Sequence, residues 1–345
     1  MAWLALAVGL SGCATAHPAS VRPVHTRVPG GFTPQAFSAA TERDFWLLGT
    51  APCRAGRCTA IVRTDDAGQS FTRLSAPKLP VEGTVPVLEF ADKQDGFAFV
   101  PDGKSPLYAT HDGGSSWQRQ SLGHVLGFAT GGSIAYAVTA GHRLERAPVS
   151  STSWTATTLP FVPDGGLVSL AVRGSKVWLL GTPTGNRQSH DRLARSVDSG
   201  RTFTTGPGPC YADLGGELRP ASANVVWAVC PTGMLAGALR STDGGTRFAR
   251  LTTPALVNSA RLAPASGSTA VLFGNGAGSR LLRTTDGGAD WTAATVPRRP
   301  IAVWWVEFTG SRVGYALVQT RDKAYSEDLW RTTDGGAHWS ELKIR

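Results

Sequence analysis

At 345 residues with 41 glycines, 22 prolines and 17% charged side chains, the chain has room for a large ordered domain, and at 41% apolar it is too hydrophobic to be disordered. Its net charge of +9 comes mostly from arginine, since lysine occurs only six times, and no basic run exceeds two residues. That dispersal argues against nucleic acid as a partner, which calls for clustered charge with exposed aromatics, and leaves a surface suited to anionic lipid or wall polymers.

The chain opens MAWLALAVGLSGC, an apolar run too short to span a bilayer that ends in Leu10-Ser11-Gly12-Cys13. These residues resemble a bacterial lipobox. Residues 1–12 are therefore expected to be a lipoprotein signal peptide, Cys13 the lipidated residue, and residues 13–30 a tether holding the rest off the membrane.

From residue 31 onward the chain repeats itself. The pattern Ser/Thr-x-Asp-x-Gly-x-x-aromatic matches six times, at Asp66, Asp112, Asp198, Asp243, Asp286 and Asp334, with steps of 46, 86, 45, 43 and 48 residues. The long step is close to two periods and predicts a seventh unit around Trp154, where the aromatic persists without the Asp and Gly. The units run over about 31–78, 79–122, 123–160, 161–206, 207–252, 253–297 and 298–345. Each reads as four short strands separated by Gly, Pro, Asn and Asp, and the second strands (FWLLG, FAFV, AYAV, VWLLG, VVWAV, AVLFG, GYALV) are apolar on both faces. Such a unit cannot bury both faces alone. Seven of them stacked radially give an all-β, seven-bladed propeller of four-stranded antiparallel blades.

The repeated turns resemble the Asp-box, or bacterial neuraminidase repeat, and the strand followed by T-x-D-G-G-x-x-W is most similar to the propellers of photosystem II assembly and stability factors. The resemblance covers about nine-tenths of the chain and implies the fold more than an activity, because sialidases, xyloglucan-active glycosidases, sortilin-type receptors and non-enzymatic factors share the repeat. The aspartates themselves read as fasteners: each carboxylate accepts amide hydrogens of its own turn, while copies on seven blades point outward and never converge.

Four cysteines remain after Cys13. In an exported chain they are expected to pair, Cys53 with Cys58 across a hairpin and Cys210 with Cys230 between neighbouring units, both on one face of the ring. A cofactor or metal is not expected, and neither are catalytic residues: G-x-S-x-G, a complete G-x-x-x-x-G-K-[ST] and H-E-x-x-H are all missing, and VRPVHTRVPGGFTP lacks the Arg-Ile-Pro-like segment of a sialidase.

Candidate binding residues come from two places. Aligning the first strands on their last apolar residue puts Glu89, Arg219, Arg261 and Glu307 beside the axis, where four charges either pair with one another or face a wet channel. The connection 181–192, with Arg187, and the neighbouring loop 207–216, with Tyr211, should lie on the bridged face near that channel mouth. Arg219 and Arg261 suggest an anionic or glycan ligand. The sequence thus points to a monomeric, lipid-anchored, extracytoplasmic scaffold that binds a protein or glycan partner at the cell envelope without chemistry of its own. The alternative is a glycoside hydrolase or sialidase-like enzyme acting on surface glycans, with carboxylates from two blades.

Overall fold

The computed structural model describes residues 27–345 apart from 55, 81–84, 103, 184, 186–189, 258–259, 275–279 and 321–326; for 164–167 and 257 it describes the backbone alone. The expected signal peptide and Cys13 lie outside the described residues, as does Arg187.

Seven antiparallel sheets form a seven-bladed β-propeller, and the described residues contain no helix. From the axis outward, blade 1 comprises Thr33–Ala39, Phe45–Cys53, Gly56–Thr64 and Thr72–Leu74, and blade 2 comprises Val87–Phe90, Gly96–Phe99, Tyr108–Thr110 and Gln118–Arg119. Blade 3, the unit without an Asp turn, still has four strands: Val125–Gly131, Ile134–Thr139, Arg143–Pro148 and Thr155–Thr158. Blade 4 runs Pro163–Arg173, Lys176–Pro183, His190–Ser196 and Thr204–Tyr211. Blade 5 runs Glu217–Pro220, Val226–Pro231, Leu235–Ser241 and Ala249–Arg250, with Leu256–Val257 as a fifth strand pairing back onto Leu235 and Ala236. Blade 6 has Arg261–Pro264, Ala270–Phe273, Leu281–Thr284 and Thr292–Ala293, and blade 7 has Pro300–Phe308, Gly314–Thr320, Glu327–Thr332 and Ser340–Leu342.

There is no single core. Seven apolar clusters fill the seven interfaces between adjacent blades, which is why the second strands must be apolar on both sides. Phe45, Trp46, Leu47 and Leu48, consecutive in blade 1, are all buried, alternately against blade 7 and blade 2. Each is worth about 1.5–3 kcal/mol on full burial.

Blade 1 is built entirely from the N-terminal part of the ring and blade 7 entirely from the C-terminal part, so no strand is exchanged at the seam. Closure rests on packing. Phe37 and Phe45 sit 4.9 and 4.8 Å from Tyr315, whose hydroxyl donates across the seam to the Glu42 carbonyl at 2.8 Å. Gly68 lies so close to Leu342 that an added Cβ would meet its Cδ2 at 2.4 Å.

Because the strands run antiparallel in chain order, second-to-third connections and blade-to-blade links share one face, and first-to-second and third-to-fourth turns share the other. Both disulfides, Cys53–Cys58 and Cys210–Cys230, are on the first, here the bridged face. The six Asp turns are on the second, the turn face. In all six the buried Ser or Thr hydroxyl donates to Asp Oδ1 and accepts the N–H of the glycine four residues on, at 2.8–3.0 Å. The same Oδ1 accepts the backbone N–H four residues after the aspartate, at 2.9–3.1 Å. The glycine takes φ between +74° and +94°, a region other residues adopt only under strain.

A second repeated device is an arginine on the third strand. Arg63, Arg146, Arg195, Arg240, Arg283 and Arg331 each pair in register with the second-strand residue at the Trp46 position. Several reach the next blade: Arg146 donates to the Ser199 carbonyl at 3.2 Å, Arg283 to Gly335 O at 2.8 Å, Arg240 to Gly267 O, and Arg195 to Thr246 Oγ1. Arg63 also lies 4.9 Å above the Trp46 ring.

Candidate functional site

The first strands surround an axial channel of about 870 Å³. Their register against the second strands fixes which residues share a level. Opposite the Trp46 position stand Ser38, Glu89, Ala129, Ala171, Arg219, Ala263 and Glu307. One pleat nearer the bridged face stand Ala36, Val87, Gly127, Ser169, Glu217, Arg261 and Trp305.

This register corrects the sequence alignment. In blades 1, 3, 4 and 6 the last apolar residue lies two positions early, so Arg261 does not share the level of Glu89, Arg219 and Glu307. It sits one pleat away, and its Nε donates to the Trp304 carbonyl at 3.2 Å. The alignment read a single level of the channel and so passed over Glu217, which stands one pleat nearer the bridged face on the same strand as Arg219 and whose Oε1 accepts from Arg219 Nη2 at 2.5 Å. Counting from the turn before each second strand, where Asp44 and Asp95 stand, gives the register.

The channel group is therefore Glu89 from blade 2, Glu217 and Arg219 from blade 5, and Glu307 from blade 7. Glu89, Arg219 and Glu307 are the next-to-last residues of their strands, so the group lies toward the turn face. Glu89 Oε1 accepts from Thr130 Oγ1 at 2.9 Å and from Thr130 N at 3.4 Å. Burial pushes the Glu89 carboxyl above its ordinary range, against those hydrogen bonds and the charge of Arg219. Glu307 is open to the channel but ringed by protein; that enclosure, then the charge of Glu89, lifts it to about 7 against the pull of Arg219. Enclosure also opposes the charge on Arg219, yet Glu217, Glu307 and Glu89 outweigh it and hold the guanidinium firmly protonated.

Arg219 bonds to Glu217 and Arg261 to a backbone carbonyl, and the two guanidiniums stand one pleat apart, not side by side at one level as the alignment suggested. Among the described residues, three carboxyl groups, Glu89, Glu217 and Glu307, and three guanidiniums, Arg173, Arg219 and Arg261, line the channel. Tyr211 is elsewhere as well: it is on the outermost strand of blade 4, 44% exposed, with its ring stacked on His190 at 5.2 Å, and it does not line the channel. The described residues hold no group of three or more His, Cys, Asp or Glu disposed to bind a metal ion. Chemically the group can recognise a hydrogen-bond donor, and it places Glu307, with a near-neutral pKa, and Glu89 at one level on the two blades that flank blade 1.

No family model matches the chain. No curated protein matches it either. Solved structures do. YCF48 bound to D1 peptide aligns with a TM-score of 0.56 and 18% identity over 86% of this chain and 92% of that one. YCF48 from Cyanidioschyzon merolae gives 0.56 and 15% over 89% and 97%. The β-propeller domain of the Trilobed protease from Pyrococcus furiosus, described as having an open velcro topology, gives 0.59 and 7% over 90% and 98%. At these identities the likeness establishes the fold alone, and the chain is, like them, a β-propeller.

Proposed function

We propose that this chain is an extracytoplasmic, lipid-anchored Asp-box propeller that binds a protein partner through its axial channel and performs no chemistry of its own. The observation that carries the proposal is the convergence of Glu89, Glu217, Arg219 and Glu307 from three blades on one channel. Charges held that way recognise a partner group, and Glu89 and Glu307 toward the turn face suit one rich in hydrogen-bond donors. A solved propeller of similar fold is described as holding a peptide. The paired cysteines fit an oxidising compartment, and the lipobox-like Cys13 supplies the anchor.

The test is a photo-crosslinking residue at Thr309, on the turn-face lip of the channel, in the full chain in its own cells. A discrete protein adduct is expected, lost when Arg219→Gln and Glu307→Gln are combined; the same probe at exposed Val197 should give none. Adducts that ignore the double substitution would remove the channel from the function. One observation favours a second reading, a glycoside hydrolase: Glu307, raised to about 7, shares a level of the channel with Glu89, a second carboxyl from another blade. Glycan hydrolysis abolished by Glu307→Gln in a folded protein would establish that reading instead.

A further inference from the structure

The two faces of the ring differ in kind. Of the large apolar side chains that are exposed among the described residues, Val85, Val162, Tyr211, Leu214, Met234 and Leu235 all lie at or beside bridged-face connections, Met234 at 81% exposure and Val85 at 63%; Val197 is on the turn face and Trp304 lines the channel. Charge divides the same way. The bridged-face connections present exposed Arg54, Lys78, Lys104, Arg280 and Arg299, while their described carboxylates are Asp102, which caps its own loop through Lys104 N and Ser105 N, and Asp213. The turn face carries the six turn aspartates together with Glu42, Asp65, Asp92 and Asp290, which outnumber its exposed bases Arg43, Lys93, Arg173, Arg201, Arg247 and Arg312.

Residues 1–26 also join the ring on the bridged face, where the Gly31 carbonyl accepts from Arg57 Nη2 at 3.1 Å. A face that combines scattered exposed apolar tips, a basic rim and the point of chain entry, set against an acidic opposite face, is complementary to one surface: an anionic bilayer, which attracts lysine and arginine to its headgroups and accepts shallow apolar side chains below them. We infer that the bridged face is a lipid-docking surface and that the propeller lies on the membrane with that face down and the carboxylate-lined end of the channel turned away. The inference adds to the proposed tether and does not depend on it, because contact with lipid can be measured on a chain that cannot be lipidated.

The experiment uses the full chain carrying Cys13→Ser and vesicles of phosphatidylcholine with or without an equal amount of phosphatidylglycerol. Sedimentation with the anionic vesicles alone is expected, weakening with salt. Arg54→Glu, Lys78→Glu and Arg299→Glu should each reduce the partition constant about fivefold or more, since each basic residue near such a surface counts for roughly that factor. Arg43→Glu, Arg201→Glu and Arg312→Glu on the turn face should leave it within twofold. An environment-sensitive dye on Met234→Cys should shift to the blue on binding, and on Val197→Cys it should not. Equal losses from the two faces, a blue shift at both positions, or no sedimentation with anionic vesicles would overturn the inference. So would a bridged face that captures a wall polysaccharide or a protein while ignoring the vesicles. A lipid result in either direction leaves the channel adduct at Thr309 as a separate question.

Discussion

Thr332→Val isolates the part of the repeated turn that the aspartate alone does not explain. The two side chains have nearly the same shape, and Thr332 is 1% exposed, so the change removes a hydroxyl and little else. That hydroxyl accepts the Gly336 N–H at 3.0 Å and donates to Asp334 Oδ1 at 2.9 Å. Asp334 keeps the N–H groups of Ala337 and His338, each at 3.0 Å, whereas the buried Gly336 amide is left without an acceptor. An unsatisfied buried donor costs about 1–3 kcal/mol, so a loss near 2 kcal/mol is expected. With an unfolding entropy of about 2.1 cal/mol/K per residue over roughly 310 residues, near 0.65 kcal/mol/K, Tm should fall by about 3 °C. Scanning calorimetry beside Thr333→Val, an exposed neighbour that should be neutral, measures the difference. Equal shifts for the two variants, or none for Thr332→Val, would mean that the turn is held by its carboxylate and backbone and that the hydroxyl is incidental.

Two further outcomes follow from the seam and from the titrating groups. Tyr315→Ala removes the ring that packs on Phe37 and Phe45 together with the hydrogen bond to Glu42 O, and should destabilise by about 3–5 kcal/mol; limited trypsinolysis should then cut blades 1 and 7 first, and uniform cleavage around the ring would show that the seam is no weaker than other interfaces. For pH, hydrogen bonds from Ser70 and Thr64 outweigh burial to hold Asp66 at about 2, and those from His338 and Thr332 do the same for Asp334, so their contribution is complete above the ordinary 3.8 and is lost as pH falls through about 2. Glu307 and Glu327, raised from 4.5 to about 7 by burial, act the other way: the folded state binds more protons between those values, and stability declines as pH rises through that window. Tm should peak near pH 4–5, and Glu307→Gln with Glu327→Gln should flatten the decline above it; an unchanged slope would place the titration on other groups.

The fold was legible because the turn needs several fixed residues at fixed spacing, and their period gave the blade count even across Trp154. The channel was less so. Pairing register is set by the turn before the second strand, whereas the alignment leaned on the last apolar residue of the first; in blade 6 that residue is Leu262, and the true counterpart of Arg219 is Ala263. A two-residue slip keeps a side chain on the same face of its strand, so the hydrophobic pattern gives no warning. Glu217 was missed for a different reason: on blade 5 the alignment was in register, but it took one residue per strand and left the pleat before it unread. The disulfides were readable because both needed only the knowledge of which connections share a face. Tyr211 was misplaced because a loop's neighbours are set by the direction of the strand it leaves, which composition does not report.

Net charge was the other place where composition and structure part. An excess of arginine spread over all units suggested a basic surface, but the arginine that precedes the turn in five of the six repeats pairs with the second-strand residue at the Trp46 position, and Arg240 and Arg283 reach carbonyls of the next blade. Those guanidiniums are structural, half-buried between blades, and lend little to the outer field. With them set aside, the acids of the turn face outnumber its exposed bases, while among the described residues of the bridged-face connections the bases outnumber Asp102 and Asp213. The same +9 therefore describes a molecule with two unlike faces, and orientation against a charged surface is available to it without any basic cluster in the sequence.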